Sequence, residues 1–248
     1  MIRLRVFIVS AVVCSVCAAG AVAGLIENGD FESVTAGKFD SWNYAVDKTV
    51  ADASTAPAVL EGTYSARLIP GLTDGGVLNQ TVSAVGLSDF KIDFDFAVLP
   101  SPGGTNKRTL GISSNGDVAN VAVYYTASGA ELNFYSGSSW LPTGLLVATT
   151  PNWNTTPVIN HLTLEGTDYG TQDASLVVTL TGGVVDGTYT NTSNGSKTAG
   201  LSTFGFFGHY RDTAFLVDNV SVVPEPSTGV LLAMVLAGLL GCIRRRRA

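Results

Sequence analysis

The chain has 248 residues, 46% of them hydrophobic and only 14% charged, with a formal net charge of −6. All 20 acidic residues fall between Glu27 and Glu225, with only 8 of the 14 basic ones, so the body of the chain carries about −12. A surface this acidic repels phosphate backbones, which argues against nucleic acid as a partner and is compatible with neutral polymers or calcium.

The N-terminus reads as an export signal. Arg3 and Arg5 form a cationic start, Val6 to Val16 is apolar, and Ala21-Val22-Ala23 is a small-x-small cleavage site. This pattern predicts a signal peptide over residues 1–23, handled by the Sec export machinery, with Gly24 opening the mature protein. Cys14 and Cys17 lie inside that peptide and Cys242 lies near the C-terminus, so the mature body has no cysteine. It is an exported domain without disulfides, long enough to be held by one hydrophobic core.

Residues 24–222 read as strands and turns. Helical periodicity is nearly absent, and short β-rich runs recur between Gly, Asn, Asp, Ser and Pro clusters. The predicted strands are 64–69, 77–82, 90–98, 109–112, 118–126, 131–135, 145–149, 158–164, 175–180, 204–209 and 215–222. Alternation places Ile92, Phe94 and Phe96 inward, with Leu162, Leu164, Leu176, Val178 and Leu180. Adjacent Tyr124 and Tyr125 must face opposite sides. Residues 101–106 and 186–200 are expected to be loops. The expected fold class is all-β, a two-sheet antiparallel jelly-roll sandwich.

Residues 223–248 form a separate signal. Pro224-Glu225-Pro226 is rigid and non-helical, because proline fixes φ and restricts the residue before it. Residues 229–243 carry no charge, and Arg244, Arg245, Arg246 and Arg247 follow. The run predicts a single C-terminal transmembrane helix, short for a bilayer, whose arginines hold its end in the cytoplasm. On hydrophobicity alone a plain tail anchor is the competing reading. The three parts in this order resemble the PEP-CTERM sorting signal of Gram-negative bacteria. That resemblance implies recognition by an exosortase, a membrane-embedded cysteine protease that cuts near the Pro-Glu-Pro motif. It further implies a transient inner-membrane intermediate, then the cell surface or an exopolysaccharide matrix.

Four phrases in the body resemble a second family. They are Asn28-Gly29-Asp30-Phe31-Glu32, Gly62-Thr63-Tyr64-Ser65-Ala66-Arg67-Leu68, Gln80-Thr81-Val82 and Asp218-Asn219-Val220. In this order they resemble the galactose-binding-like jelly rolls that include many carbohydrate-binding modules. The resemblance implies a structural calcium ion held near the paired terminal strands, with Glu32 and Asp218 as its ligands and Asp30 beside them. Read on their own, Asp30 is a turn residue and Asp218 caps a neighbouring N–H.

Sugar-binding sandwiches stack pyranose rings on exposed aromatic faces. Trp140, after Gly137-Ser138-Ser139, and Trp153, between Asn152 and Asn154, are expected to sit in polar loops and are the expected ligand-binding residues. Trp42 is expected to pack beneath the first strand. No catalytic motif is present, and His161 reads as a structural residue in an apolar strand. The expectation is therefore a surface or matrix protein that binds carbohydrate and is not an enzyme. A structural or adhesive matrix protein, and a glycan hydrolase with an unrecognised site, are the alternatives.

Overall fold

A computed structural model describes residues 25–44, 49–70, 76–83, 86–100, 107–114, 121–136, 138–192, 200–208 and 214–225. The expected signal peptide, apolar C-terminal helix, Pro226 and Arg244 to Arg247 lie outside these residues. In chain order the strands are β1 (Val34–Thr35), β2 (Lys38–Phe39), β3 (Asn43–Tyr44), β4 (Thr49–Ser54), β5 (Ser65–Pro70), β6 (Gly76–Thr81), β7 (Phe90–Val98) and β8 (Lys107–Ser114). They continue with β9 (Val121–Thr126), β10 (Gly129–Tyr135), β11 (Trp140–Val147), β12 (Asn160–Thr167), β13 (Ser175–Thr181), β14 (Gly187–Asn191), β15 (Thr203–Gly208) and β16 (Phe215–Pro224). No helix occurs among the described residues.

Two seven-stranded sheets face each other, and β1 and β2 form a small ribbon apart from them. Sheet I runs β11-β10-β9-β8-β15-β6-β3, and sheet II runs β14-β13-β12-β7-β16-β5-β4. The expected antiparallel two-sheet sandwich is the architecture observed.

The period-2 pattern explains why these residues form these strands. Along β7 side chains alternate buried and half-buried, with Phe94 and Phe96 fully enclosed. Leu162 and Leu164 on β12, and Leu176, Val178 and Leu180 on β13, point the same way. Phe94 is the hub: its ring centroid lies 5.0 Å from Phe206 on sheet I and 5.8 Å from Phe96. Trp42 does pack beneath the N-terminal segment, stacked on Phe31 at 5.0 Å, and its indole N–H donates to Asn28 O. Tyr125 is buried and Tyr124 faces out, as alternation requires.

Three local expectations are corrected. Residues 187–191 lie in the span expected to be loop but form β14, where half-buried Tyr189 rests on Phe134. The N-terminal segment contributes β1 to β4, none of which has a contiguous apolar run. Trp140 does not sit in a loop: it opens β11 opposite Tyr135, so that strand begins five residues earlier than expected.

Chain entry and exit share one end of the sandwich. The Leu25 N–H donates to Val222 O at 2.8 Å, and the Glu225 N–H donates to Asp89 O at 3.1 Å. Both sheets and the core between them close within residues 25–225.

Candidate functional site

The four family-like phrases meet at a single junction. Asn28 adopts positive φ and folds its amide back onto Ser33 and Asp40. Gly29 lies so close to Val220 that a Cβ would strike its carbonyl oxygen, while the Val220 N–H donates to Gly29 O at 2.8 Å. The Thr63 and Tyr64 N–H groups donate to Glu32 Oε1 at 2.7 and 3.1 Å. Gly62 leaves room for that carboxylate, since a Cβ there would collide with it. Gln80 accepts from the Glu27 N–H and donates to Glu27 O. The phrases therefore lock the N-terminal segment onto β5, β6 and β16.

Beside this lock lies a cleft of about 260 Å³ lined by Asp30, Glu32, Glu61, Gly62, Asp218 and Asn219. Asp218 is 1% exposed. Its Oδ2 accepts from Ser65 Oγ and, at 3.4 Å, from the Glu61 N–H; its Oδ1 accepts from the Asn219 N–H at 2.8 Å. Burial pushes the Asp218 carboxyl up to about 7, the Glu32 charge adds to that rise, and the three donors oppose it. The donors to Glu32, that from Tyr64 foremost, hold its carboxyl below the ordinary value.

The structure thus brings Glu32 and Asp218, the residues expected to hold calcium, to one cleft. That ion takes six to eight oxygens around one point. Among the described residues no three acidic, histidine or cysteine side chains are placed to hold a metal. Protein N–H and O–H donors already occupy Glu32 Oε1 and both oxygens of Asp218.

Outward on sheet II, His161 stands between two aspartates. Its Nδ1 is 2.8 Å from Asp95 Oδ1 and its Nε2 is 3.6 Å from Asp93 Oδ1. Asp93 also accepts from Thr163 Oγ1, and Asp95 accepts from Asn219 Nδ2 at 2.9 Å. His161 is held by partners, as expected, but it lies on the polar outer face instead of in apolar surroundings.

The outward face of sheet I carries the aromatic group. Trp140 lies 5.2 Å from both Tyr124 and Tyr135, tilted by 49° and 48°. Arg108, opposite Tyr124 in the β8–β9 register, places its guanidinium carbon 5.4 Å from the Trp140 ring and 5.6 Å from Tyr124. All four side chains are half-buried. Of this group, sequence context singled out Trp140 as a ligand contact; Tyr124 and Tyr135 were legible only as two of many aromatics, and Arg108 not at all. The other three come from separate strands, and register alone unites them.

Trp153 is elsewhere. It packs on the outer face of sheet II against a small apolar cluster of Ala58, Ala97 and Leu216, with its indole N–H buried and unpaired. Sequence context placed it among asparagines, but Ala97 and Leu216 leave an apolar gap on that face that the indole fills. The two tryptophans do not share a site.

The chain's C-terminal signal decides where the protein is sent. Residues 222–247 match the PEP-CTERM protein-sorting motif. The PEP-CTERM motif implies export, cell-surface sorting and exosortase processing. Its Pro224 and Glu225 belong to the folded body: Pro224 pairs with Phe90 at the end of β16.

No curated protein matches the chain. Among solved structures, a conserved carbohydrate esterase from Shiga toxin-encoding bacteriophage phi24B aligns with TM-score 0.57 at 13% identity, over 82% of this chain and 99% of that one. Cellulose induced protein Cip1 aligns with TM-score 0.51 at 13% identity, over 79% and 96%. An endo-β-1,4-glucuronan lyase from the fungus Trichoderma reesei aligns with TM-score 0.49 at 11% identity, over 76% and 93%. At these identities the first two establish the shared jelly-roll fold. They also correct the expectation that this domain is not an enzyme, because a carbohydrate esterase is built on the same fold. That expectation rested on the lack of a contiguous motif. A site assembled from outward residues of separate strands leaves no such motif.

Proposed function

We propose that this is an exosortase-processed surface protein whose sandwich engages polysaccharide in the extracellular matrix through the outward face of sheet I. The observation that carries the reading is the half-buried Trp140, set between Tyr124 and Tyr135 with Arg108 against it. A partly exposed indole and two tyrosines offer apolar faces to the C–H side of a pyranose, and Arg108 offers donors to its oxygens. In a Gram-negative host the route runs through Sec export and an inner-membrane intermediate to the surface. Exopolysaccharide is the partner.

Residues 25–225 are to be tested for co-sedimentation with the producing cell's own polysaccharide, and for chain cleavage or deacylation of the same polymer. Trp140→Ala is expected to weaken retention about tenfold while the protein remains folded. A parent protein that retains no polysaccharide, or a folded variant that retains it as well as the parent, refutes the platform. The first of those results favours a structural matrix role.

A further inference from the structure

The platform has a feature that neutral sugars do not require. Arg108 lies against two aromatic rings, 5.4 Å from Trp140 and 5.6 Å from Tyr124. A guanidinium is planar, and its five N–H donors point outward in that plane. A ring in contact with the guanidinium carbon offers those donors no carboxylate. Packing against the rings also restrains a long side chain in advance, which lowers the entropic cost of its next contact. Arg108 pairs with no carboxylate among the described residues. Glu131, which faces Tyr124 across the β9–β10 register, instead accepts from the Gly144 N–H at 2.9 Å.

We propose that Arg108 makes the platform selective for acidic polysaccharides, chains of uronic acids or of sugars bearing carboxylate substituents. The inference rests on the platform reading and adds the class of sugar. The sugar ring stacks on Trp140 and Tyr135, and its carboxylate meets the guanidinium edge in the paired, coplanar geometry that arginine favours. The body's net charge of about −12 opposes such a polymer at long range. Exposed charges separated by more than about 8 Å are largely screened at physiological ionic strength, so the cation in contact decides the preference.

The test uses residues 25–225 and a panel of acidic polysaccharides, each matched with its own carboxyl-reduced, neutral derivative. The backbone is the same within each pair and only the charge differs. At least one acidic polymer is expected to bind about tenfold more tightly than its reduced partner. Arg108→Gln removes that difference and leaves weak binding to both forms. Arg108→Lys keeps the charge without the planar fork and restores the difference only in part. Trp140→Ala weakens both forms together. Thermal melts check that each variant is folded.

Equal binding of acidic and reduced forms by the parent protein overturns the selectivity and leaves the platform standing. An acidic preference that persists in folded Arg108→Gln also overturns the assignment to Arg108. Binding to no polymer in either series overturns the platform and the selectivity together.

Discussion

Raising the pH from 5 to 8 should weaken the sandwich through one residue. Asp218 is 1% exposed, and burial lifts its carboxyl from an ordinary 3.8 to about 7. The folded protein therefore binds a proton that the unfolded chain releases between those two values. The corresponding stability is fully present below about pH 4 and is lost as pH rises through about 7. A shift of about 3 units at ~1.4 kcal/mol each sets a ceiling near 4 kcal/mol. That shift already includes the opposing donors from Ser65, Asn219 and Glu61, and the part of the loss between about pH 4 and 5 falls below the pH 5–8 window. Glu32 acts in the opposite sense but in a lower window: its depressed value contributes stability that is lost only as pH falls below about 4.5. Urea unfolding of residues 25–225 at pH 5, 6, 7 and 8, with EDTA throughout, should show a fall of about 2 to 3 kcal/mol in the parent. Asp218→Asn cannot ionise and should lose that slope, whatever its absolute stability. A flat or rising profile in the parent, or the same decline in the Asn variant, would refute the reasoning.

The other stability predictions follow from the same junction and from Trp153. Glu32→Gln removes the charge that accepts from Thr63 and Tyr64, and at this exposed site should cost about 1 kcal/mol in a denaturant melt. EDTA should leave the melting temperature of residues 25–225 unchanged; a drop reversed by added calcium would show the carboxylates regrouping around an ion. Trp153→Ala should destabilise by about 2 kcal/mol, since the indole covers Ala97 and Leu216. Trp153→Phe should cost far less, because it keeps a ring and removes the unpaired N–H. A Trp153→Ala melt identical to the parent's would return Trp153 to the solvent.

Strands with a buried side were the legible part of this fold. Phe90–Val98 and Ser175–Thr181 advertise themselves because every second residue is large and apolar. Gly187–Asn191 does not: it is a sheet-edge strand with one aromatic, so its composition matches that of a loop. The lock was legible as phrases but not as chemistry. Its meaning lies in contacts such as Ser65 to Asp218, 153 residues apart in sequence. Of the platform, sequence context singled out Trp140 alone, and Arg108 carried no signal. Arg108 and Tyr124 come together because β8 and β9 pair in one register, with an irregularity between Arg108 and Gly111 that no local pattern announces.

The fold also limits where the exosortase can cut. β16 ends at Pro224, where it pairs with Phe90, and the Glu225 N–H is bonded to Asp89. Val222, two residues earlier, is fully buried, and its carbonyl accepts from Leu25 at the other end of the chain. A cut before Val222 would strip a core residue and the anchor of the N-terminal segment from the folded domain. A cut after Glu225 leaves every one of these contacts intact. Only Pro226, Ser227 and Thr228 separate Glu225 from the uncharged run, a reach of roughly 10 Å at most. The processed protein should therefore carry a C-terminus at Glu225 or within the few residues after it. Mass spectrometry of protein recovered from the cell surface measures that end directly. A terminus upstream of Val222 would mean that processing precedes folding of β16. A surface protein still bearing Arg244 to Arg247 would mean that the tail is an anchor and is not cut.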